Sequence, residues 1–185
     1  MNYRSNTSFR NGRAVLVAVL LTLATLVLPV DAAASSTTTG FGDRMLELVN
    51  QARADQGVGP VLASPGLASV AGAGPYAGCG YPVAGRSTDM GVRNYFSHTI
   101  RDCGGRGMTS MLTAAGVDYA EAAENIAWVG GMTDPLLAAE RLHNDLMASP
   151  QHRGNILNPA YTHVGVGSWH TEAGESWYGG GAALR

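Results

Sequence analysis

His98, Glu124 and His152 are the residues of this 185-residue chain whose types and positions best suit chemistry. His98 closes the run NYFSH, whose aromatic pair Tyr95 and Phe96 is expected to anchor the loop in the core. His152 follows the helix start Ser149-Pro150, where the positive end of the helix dipole favours a neutral imidazole. Glu124 opens an otherwise apolar stretch, ENIAWV, where a carboxylate needs a partner. Two neutral imidazoles beside a carboxylate suit Zn²⁺ or another divalent cation. A buried His-Glu hydrogen bond that serves structure alone uses the same residues, and spacing does not separate the two. Of the other histidines, His143 lies mid-helix among Arg141, Asn144 and Asp145 and is expected in solvent, as is His170 at a hairpin end. His163 begins a strand and is open to either face. A nucleophile is harder to find. Ser97 adjoins His98, but neighbours in extended chain point their side chains apart, and neither G-x-S-x-G nor H-E-x-x-H occurs.

The elements that must carry these residues alternate in type. Met45, Leu48, Val49 and Ala52 predict a helix from about Gly42 to Gln56, ended by Gly57. Ser64-Pro65 opens a second helix with Leu67, Val70 and Ala71 inward. Ser87 is placed to cap a short helix through Asp89-Met90 that leads to His98. A further helix runs from about Thr109 to Ala115, and ENIAWV, residues 124–129, reads as a strand. Asp134-Pro135 starts the longer helix LLAAERLHNDLM, and Ser149-Pro150 the turn that presents His152. His163–Trp169 and about Ser176–Ala183 make a closing hairpin around EAGE, its last strand, within WYGGGAALR, short or frayed. Helices interleaved with few, late strands favour an α+β layered sandwich over a doubly wound sheet.

The N-terminus bears on compartment. Arg4, Arg10 and Arg13 precede the uncharged run Ala14–Leu28 and the small residues DAAASS, the order of a secretory signal cleaved after Ala34 or Ala32. Fifteen apolar residues reach about 22 Å as a helix, short of the ~30 Å hydrocarbon core; an uncleaved anchor is the alternative. Residues 1–34 are thus read as signal, 35–40 (SSTTTG) as a polar linker and 41–185 as one domain. Every basic residue is Arg, and losing the signal leaves nine of them against thirteen acids, a charge of about −4 without blocks. Such a balance offers no basic face for nucleic acid or anionic headgroups. Cys79 and Cys103, 24 apart, are the two cysteines; in an oxidising compartment they read as a disulfide worth roughly 3 kcal/mol, since no C-x-x-C supports metal or redox thiols.

Four ordered motifs, FGDRMLELVNQAR, DMGVRNYFSH, ENIA and ASPQHRGNILNPAYTHVGVG, resemble the CAP superfamily of cysteine-rich secretory, antigen-five and pathogenesis-related proteins, in its bacterial SCP-like form. The resemblance covers roughly Gly42 to Trp169 and implies a three-layer α-β-α sandwich with a small central antiparallel sheet. It also implies a cleft of two histidines and two glutamates that binds a divalent cation in some members. His98 matches the first histidine and Glu124 one glutamate. Ala160 stands where eukaryotic members carry the second histidine in GHYTQVVW, so His152 is its substitute. The second glutamate falls near Ser149 and is missing, which leaves His98, Glu124 and His152 with Ser97, Ser149 and Asn125 as cleft neighbours. The implied function is that of a secreted, monomeric, non-catalytic binding protein. Its partner would be a small lipid or apolar ligand, walled by LLAAERL and GMTDPLL, or a host or cell-surface component. A hydrolase using Ser97 or a metal-activated water, with His98 as base and Glu124 as orienter, is the alternative.

Overall fold

The computed structural model describes residues 33–171 and 176–184. Most of residues 1–34, expected to be a secretory signal, and residues 172–175, expected to turn the closing hairpin, therefore lie outside the described residues. Six helices and six strands follow one another: α1 (Ala33–Asp55), β1 (Leu62–Ala63), α2 (Pro65–Ala71), β2 (Pro75–Tyr76), β3 (Val83–Ala84), α3 (Arg86–Val92), α4 (Met108–Ala114), β4 (Ala122–Gly130), α5 (Pro135–Ala148), α6 (Pro150–Ile156), β5 (His163–His170) and β6 (Ser176–Leu184).

Local signals fix several of these boundaries. The Ser64 hydroxyl accepts from the Leu67 amide at the start of α2, and the Asp134 carboxylate accepts from Leu136 and Leu137 at the start of α5. Each cap is followed by proline at the first helical position, where its missing N–H costs nothing. Two expectations fail here. Helix α1 begins at Ala33 and runs through 35–40, the stretch expected to be a linker. Ser87 caps nothing: α3 starts one residue earlier, after Gly85, and the Ser87 hydroxyl is buried and donates to the Ala71 carbonyl 2.9 Å away. Gly85 turns the chain at φ 74°, in the left-handed region, with the Gly72 backbone so close that no Cβ fits.

The main sheet has the order β1-β5-β6-β4, antiparallel but for the two-residue β1 beside β5. Strand β6 is thus neither short nor frayed. It is a nine-residue central strand, paired along its whole length with β4 and along most of it with β5. Its Gly179, Gly180 and Gly181 cost strand propensity but leave room for α2 and α3 to lie against the sheet. On the other face pack α1, α5 and α6, with Phe41, Met45, Val49, Leu142, Leu146 and Ile156 against Ala127, Val129 and Val164. Leu67, Val70, Met111 and Leu112 join Tyr76, Val83 and Ile100 in a second core on the α2–α4 side. Helices on both faces of a small sheet make the expected three-layer α-β-α sandwich. Cys79 and Cys103 form the expected disulfide, Cα–Cα 4.7 Å.

Gly165 and Gly167 show how tightly the layers meet. A Cβ at either would overlap the backbone of α2, at Leu67–Ala68 and Ala71–Gly72. Backbone cannot swing aside as a side-chain tip can. Gly165→Ala should therefore destabilise the protein by about 3 kcal/mol, the upper range for overpacking, read as a fall in urea midpoint at unchanged m-value.

His143 is another correction. It is buried in α5 rather than solvated, and among the described residues neither ring nitrogen finds a hydrogen-bond partner, although Asn144 is close enough to favour the charged form slightly. Burial, and then the charge of Arg44, hold its pKa below the ordinary value of 6.5. As pH falls below 6.5 the unfolded chain binds a proton that the folded one refuses, so stability declines on the acid side. His143→Leu should add about 1 kcal/mol at neutral pH and more at pH 5, measured by urea unfolding at both values.

Candidate functional site

Alternation along β4 sends Glu124, Ile126 and Trp128 to one face of the sheet and Asn125, Ala127 and Val129 to the other. Glu124 shares a register row with Ala182 and Gly165, and Gly165 faces α2; Glu124 therefore points to the α2–α3 side. Its side chain is only 8% exposed. Burying a carboxylate there needs a partner, and the main one is Arg86, the first residue of α3, itself 1% exposed. Arg86 Nε donates to Glu124 Oε1 at 2.7 Å and Nη2 to Oε2 at 3.5 Å. The same guanidinium donates to the Ser97 carbonyl at 2.6 Å and to the Tyr95 hydroxyl at 3.3 Å. One arginine thus ties α3, β4 and the loop that carries His98.

His98 completes the arrangement. Its Nδ1 lies 2.9 Å from Glu124 Oε2, and because a carboxylate only accepts, the ring proton sits on Nδ1. The neutral ring then presents Nε2 as a bare acceptor, on a side chain 54% exposed. The hydrogen bond that His98 donates to Glu124 raises the His98 pKa above its ordinary value, against burial and the charge of Arg86. His152, in the first turn of α6, is affected oppositely: burial lowers its pKa, and so does the nearby charge of His98. Charge on His98 is therefore felt at His152. Charge on Arg86 is penalised by burial, but Glu124 outweighs that and holds its pKa above the ordinary value. Burial and the hydrogen bond to Asp89 push the Tyr95 hydroxyl up to about 12, so it stays a donor at all ordinary pH.

The expected neighbours are placed unequally. The Ser97 hydroxyl bonds the Thr99 hydroxyl at 3.0 Å and accepts from the Thr99 amide at 3.1 Å. Ser149 joins α5 to α6 without a side-chain cap. Asn125 points through the sheet: its Nδ2 donates to the His152 carbonyl at 3.0 Å, and its Oδ1 accepts from Asn155 at 2.8 Å. It is a strut that fixes α6, and thereby His152, from behind. Phe96 anchors nothing in the core, being 52% exposed, while Tyr95 does so through Arg86 and Asp89. His163 is exposed and bonds Thr162. Of the central residues, only Arg86 escapes the sequence reading. A carboxylate on an apolar strand signals that a partner exists, but nothing in the local sequence ties it to an arginine 38 residues earlier at the head of a helix.

As a metal centre the cleft fits poorly. Both Glu124 oxygens are engaged, by Arg86 and His98, and among the described residues no group of three or more His, Cys, Asp or Glu is placed to hold an ion. Uncommitted donors reduce to His98 Nε2 and the His152 ring.

Raising a histidine pKa by a carboxylate stabilises the fold below pH 6.5, and that contribution is lost as pH rises through the His98 value. By NMR titration His98 should titrate above 6.5 and His152 below it. Glu124→Gln should bring His98 down and, by removing His98 charge at mid-range pH, let His152 rise slightly.

The geometry can be set beside known proteins. The family model for the cysteine-rich secretory protein family, CAP, matches residues 83–179. An uncharacterised Bacillus subtilis protein, YkwD, is 33% identical over 144 residues, which is 78% of this chain and 48% of that protein; the chain spans about half its length. An extracellular SCP-domain protein of Bacillus anthracis superposes with a TM-score of 0.60 at 26% identity, over 80% of this chain and 41% of its own. An outer surface protein of Borrelia burgdorferi gives 0.59 at 14% identity, over 84% and 96%, a likeness of fold alone. The segment matched by the family model takes in α3 and His98, Glu124 and His152, and this chain belongs to the cysteine-rich secretory protein (CAP) family.

Proposed function

We propose that this protein is an exported, non-catalytic binding module whose ligand-facing surface is the cleft of His98 and His152. The observation that supports this reading is the engagement of the Ser97 hydroxyl with the Thr99 hydroxyl and amide, so that the hydroxyl next to His98 is bonded elsewhere than to the imidazole. Glu124 does orient His98 as a hydrolase would require, but Arg86 neutralises much of the charge that would stabilise an imidazolium in turnover. Export is supported by the basic-then-apolar order of residues 1–34 and by the extracellular Bacillus anthracis relative. Among the described residues no helix is long and apolar enough to cross a membrane.

For the ligand, the α5 side of the sheet has an internal cavity and a pair of exposed leucines. A cavity of about 60 Å³ between the sheet and α1, α5 and α6 is lined by Phe41, Met45, Leu142 and Ile156. That is well under the roughly 150 Å³ that accommodates one benzene, so an acyl chain would enter only by parting the layers. Leu136 and Leu137, about half exposed at the start of α5, offer an open contact where GMTDPLL was expected to form a wall. A small lipid or apolar ligand would settle on these leucines. Any divalent cation is held weakly, through imidazole nitrogen.

Incubated with a broad panel of esters and peptides, with and without Zn²⁺, the purified protein should release no product. Turnover abolished by His98→Ala would overturn the binding reading. Mass spectrometry of lipids extracted from protein purified from its native host should show one enriched species, depleted at least several-fold in a Leu136→Ser, Leu137→Ser double variant.

A further inference from the structure

The cleft holds the residues of a cation site, yet a cation already occupies the centre of it. Arg86 reaches Glu124 from the first residue of α3, and the two Glu124 oxygens are shared between its guanidinium and His98. We propose that the Arg86 guanidinium is the resident cation of this cleft, holding Glu124 in a fixed ion pair and so withholding from metal the one carboxylate the site possesses. Three observations support this. First, a divalent ion here would meet no net negative charge, because the pair sums to zero and both imidazoles are neutral donors; a metal's own charge is the largest in its site and needs such an offset. Second, Arg86 cannot easily swing away. Its other N–H groups are held by the Ser97 carbonyl and the Tyr95 hydroxyl, and the side chain is almost wholly buried. Third, no second carboxylate compensates: the position near Ser149 carries none, and no three-group cluster exists among the described residues. Arg86 is thus a positioning residue that makes the site's geometry independent of metal. The inference concerns the same cleft as the proposed binding function but not its ligand, so either can fail alone.

Titration calorimetry and thermal melts with Zn²⁺ alone test it, using wild type, Arg86→Met, and Arg86→Met combined with Glu124→Gln. Wild type should take up Zn²⁺ weakly or not at all, with its melting temperature nearly unmoved. Arg86→Met frees Glu124 beside two imidazoles, and its Zn²⁺ affinity should rise at least about tenfold, with a Zn²⁺-dependent gain in melting temperature. Adding Glu124→Gln should return both to the wild-type level. A folded Arg86→Met that binds no tighter than wild type overturns the proposal, and so does tight, stoichiometric uptake by wild type itself. Should Arg86→Met not fold, Arg86→Gln, which keeps a donor for the Ser97 carbonyl but no charge, takes its place: a gain in Zn²⁺ affinity of at least about tenfold over wild type supports the proposal, and no gain overturns it.

Discussion

The ion pair between Arg86 and Glu124 joins pieces of chain 38 residues apart in sequence. Desolvating two charges costs several kcal/mol each, and Coulomb attraction recovers that only when hydrogen bonds satisfy the remaining donors and acceptors. Here the remaining guanidinium N–H groups reach Ser97 and Tyr95, and the second Glu124 oxygen takes the His98 proton. Removing either partner would leave the other charge buried, a change of about 3–5 kcal/mol. That asymmetry makes the pair a specifier of geometry more than a source of net stability. It decides where the His98 loop sits, which tautomer His98 adopts and which nitrogen it offers.

A second buried guanidinium does the corresponding work on the opposite face of the sheet. Arg53 continues the stripe Phe41, Met45, Val49 along α1, one helical turn at a time, and ends among carbonyls rather than carboxylates. It donates to Gly59 at 2.7 Å, to Ile156 and Asn158 at 2.7 and 2.9 Å, and to Tyr161 at 3.1 Å. Burial without a counter-charge lowers its pKa, yet arginine starts so high that it stays ionised. The flat fork of five donors suits several carbonyls at once, which an ammonium on a flexible stem does not. By gathering the chain just after α6, Arg53 holds that helix from one end while Asn125 holds it from the sheet. The backbone of α6 at His152 is therefore held by Asn125 from the sheet and by Arg53 at the helix's C-terminal end.

How much of this was legible in the sequence divides along physical lines. Where one residue acts on its own neighbours, the expectation holds: Ser64-Pro65 and Asp134-Pro135 start helices because the cap and the proline act within one turn. His98 beside Glu124 was legible because an apolar strand makes a lone carboxylate conspicuous. What depends on tertiary contact was not. Gly179–Gly181 weaken a strand by local propensity, and only the nearness of α2 and α3 explains why the centre of the sheet is built from them. Ser87 has the chemistry of a cap and is instead drawn to the carbonyl of Ala71 in another helix. His143 sits among polar sequence neighbours on a helix, but its own side chain falls on the buried face, a matter of phase that charge pattern around it disguises. Arg86 combines both difficulties, since its partner is 38 residues away and guanidinium is rarely expected inside.

The disulfide brings these threads to the same place. Cys79 and Cys103 bracket the segment that contains Arg86, Asp89, Tyr95, Ser97 and His98, every cleft residue not on β4 or α6. Within that segment Arg93 lies over the Tyr81 ring, 4.3 Å from its centre, and also donates to the Arg101 carbonyl, so the loop after His98 is drawn back on α3. Pinning both ends of the segment restricts the unfolded chain, while the Arg86–Glu124 pair selects one arrangement of the folded one. The two act on different states of the protein and so reinforce rather than duplicate each other. Polar groups organised in this way have their positions set by folding, and the ordering entropy that a flexible cluster would retain in the folded protein is already lost.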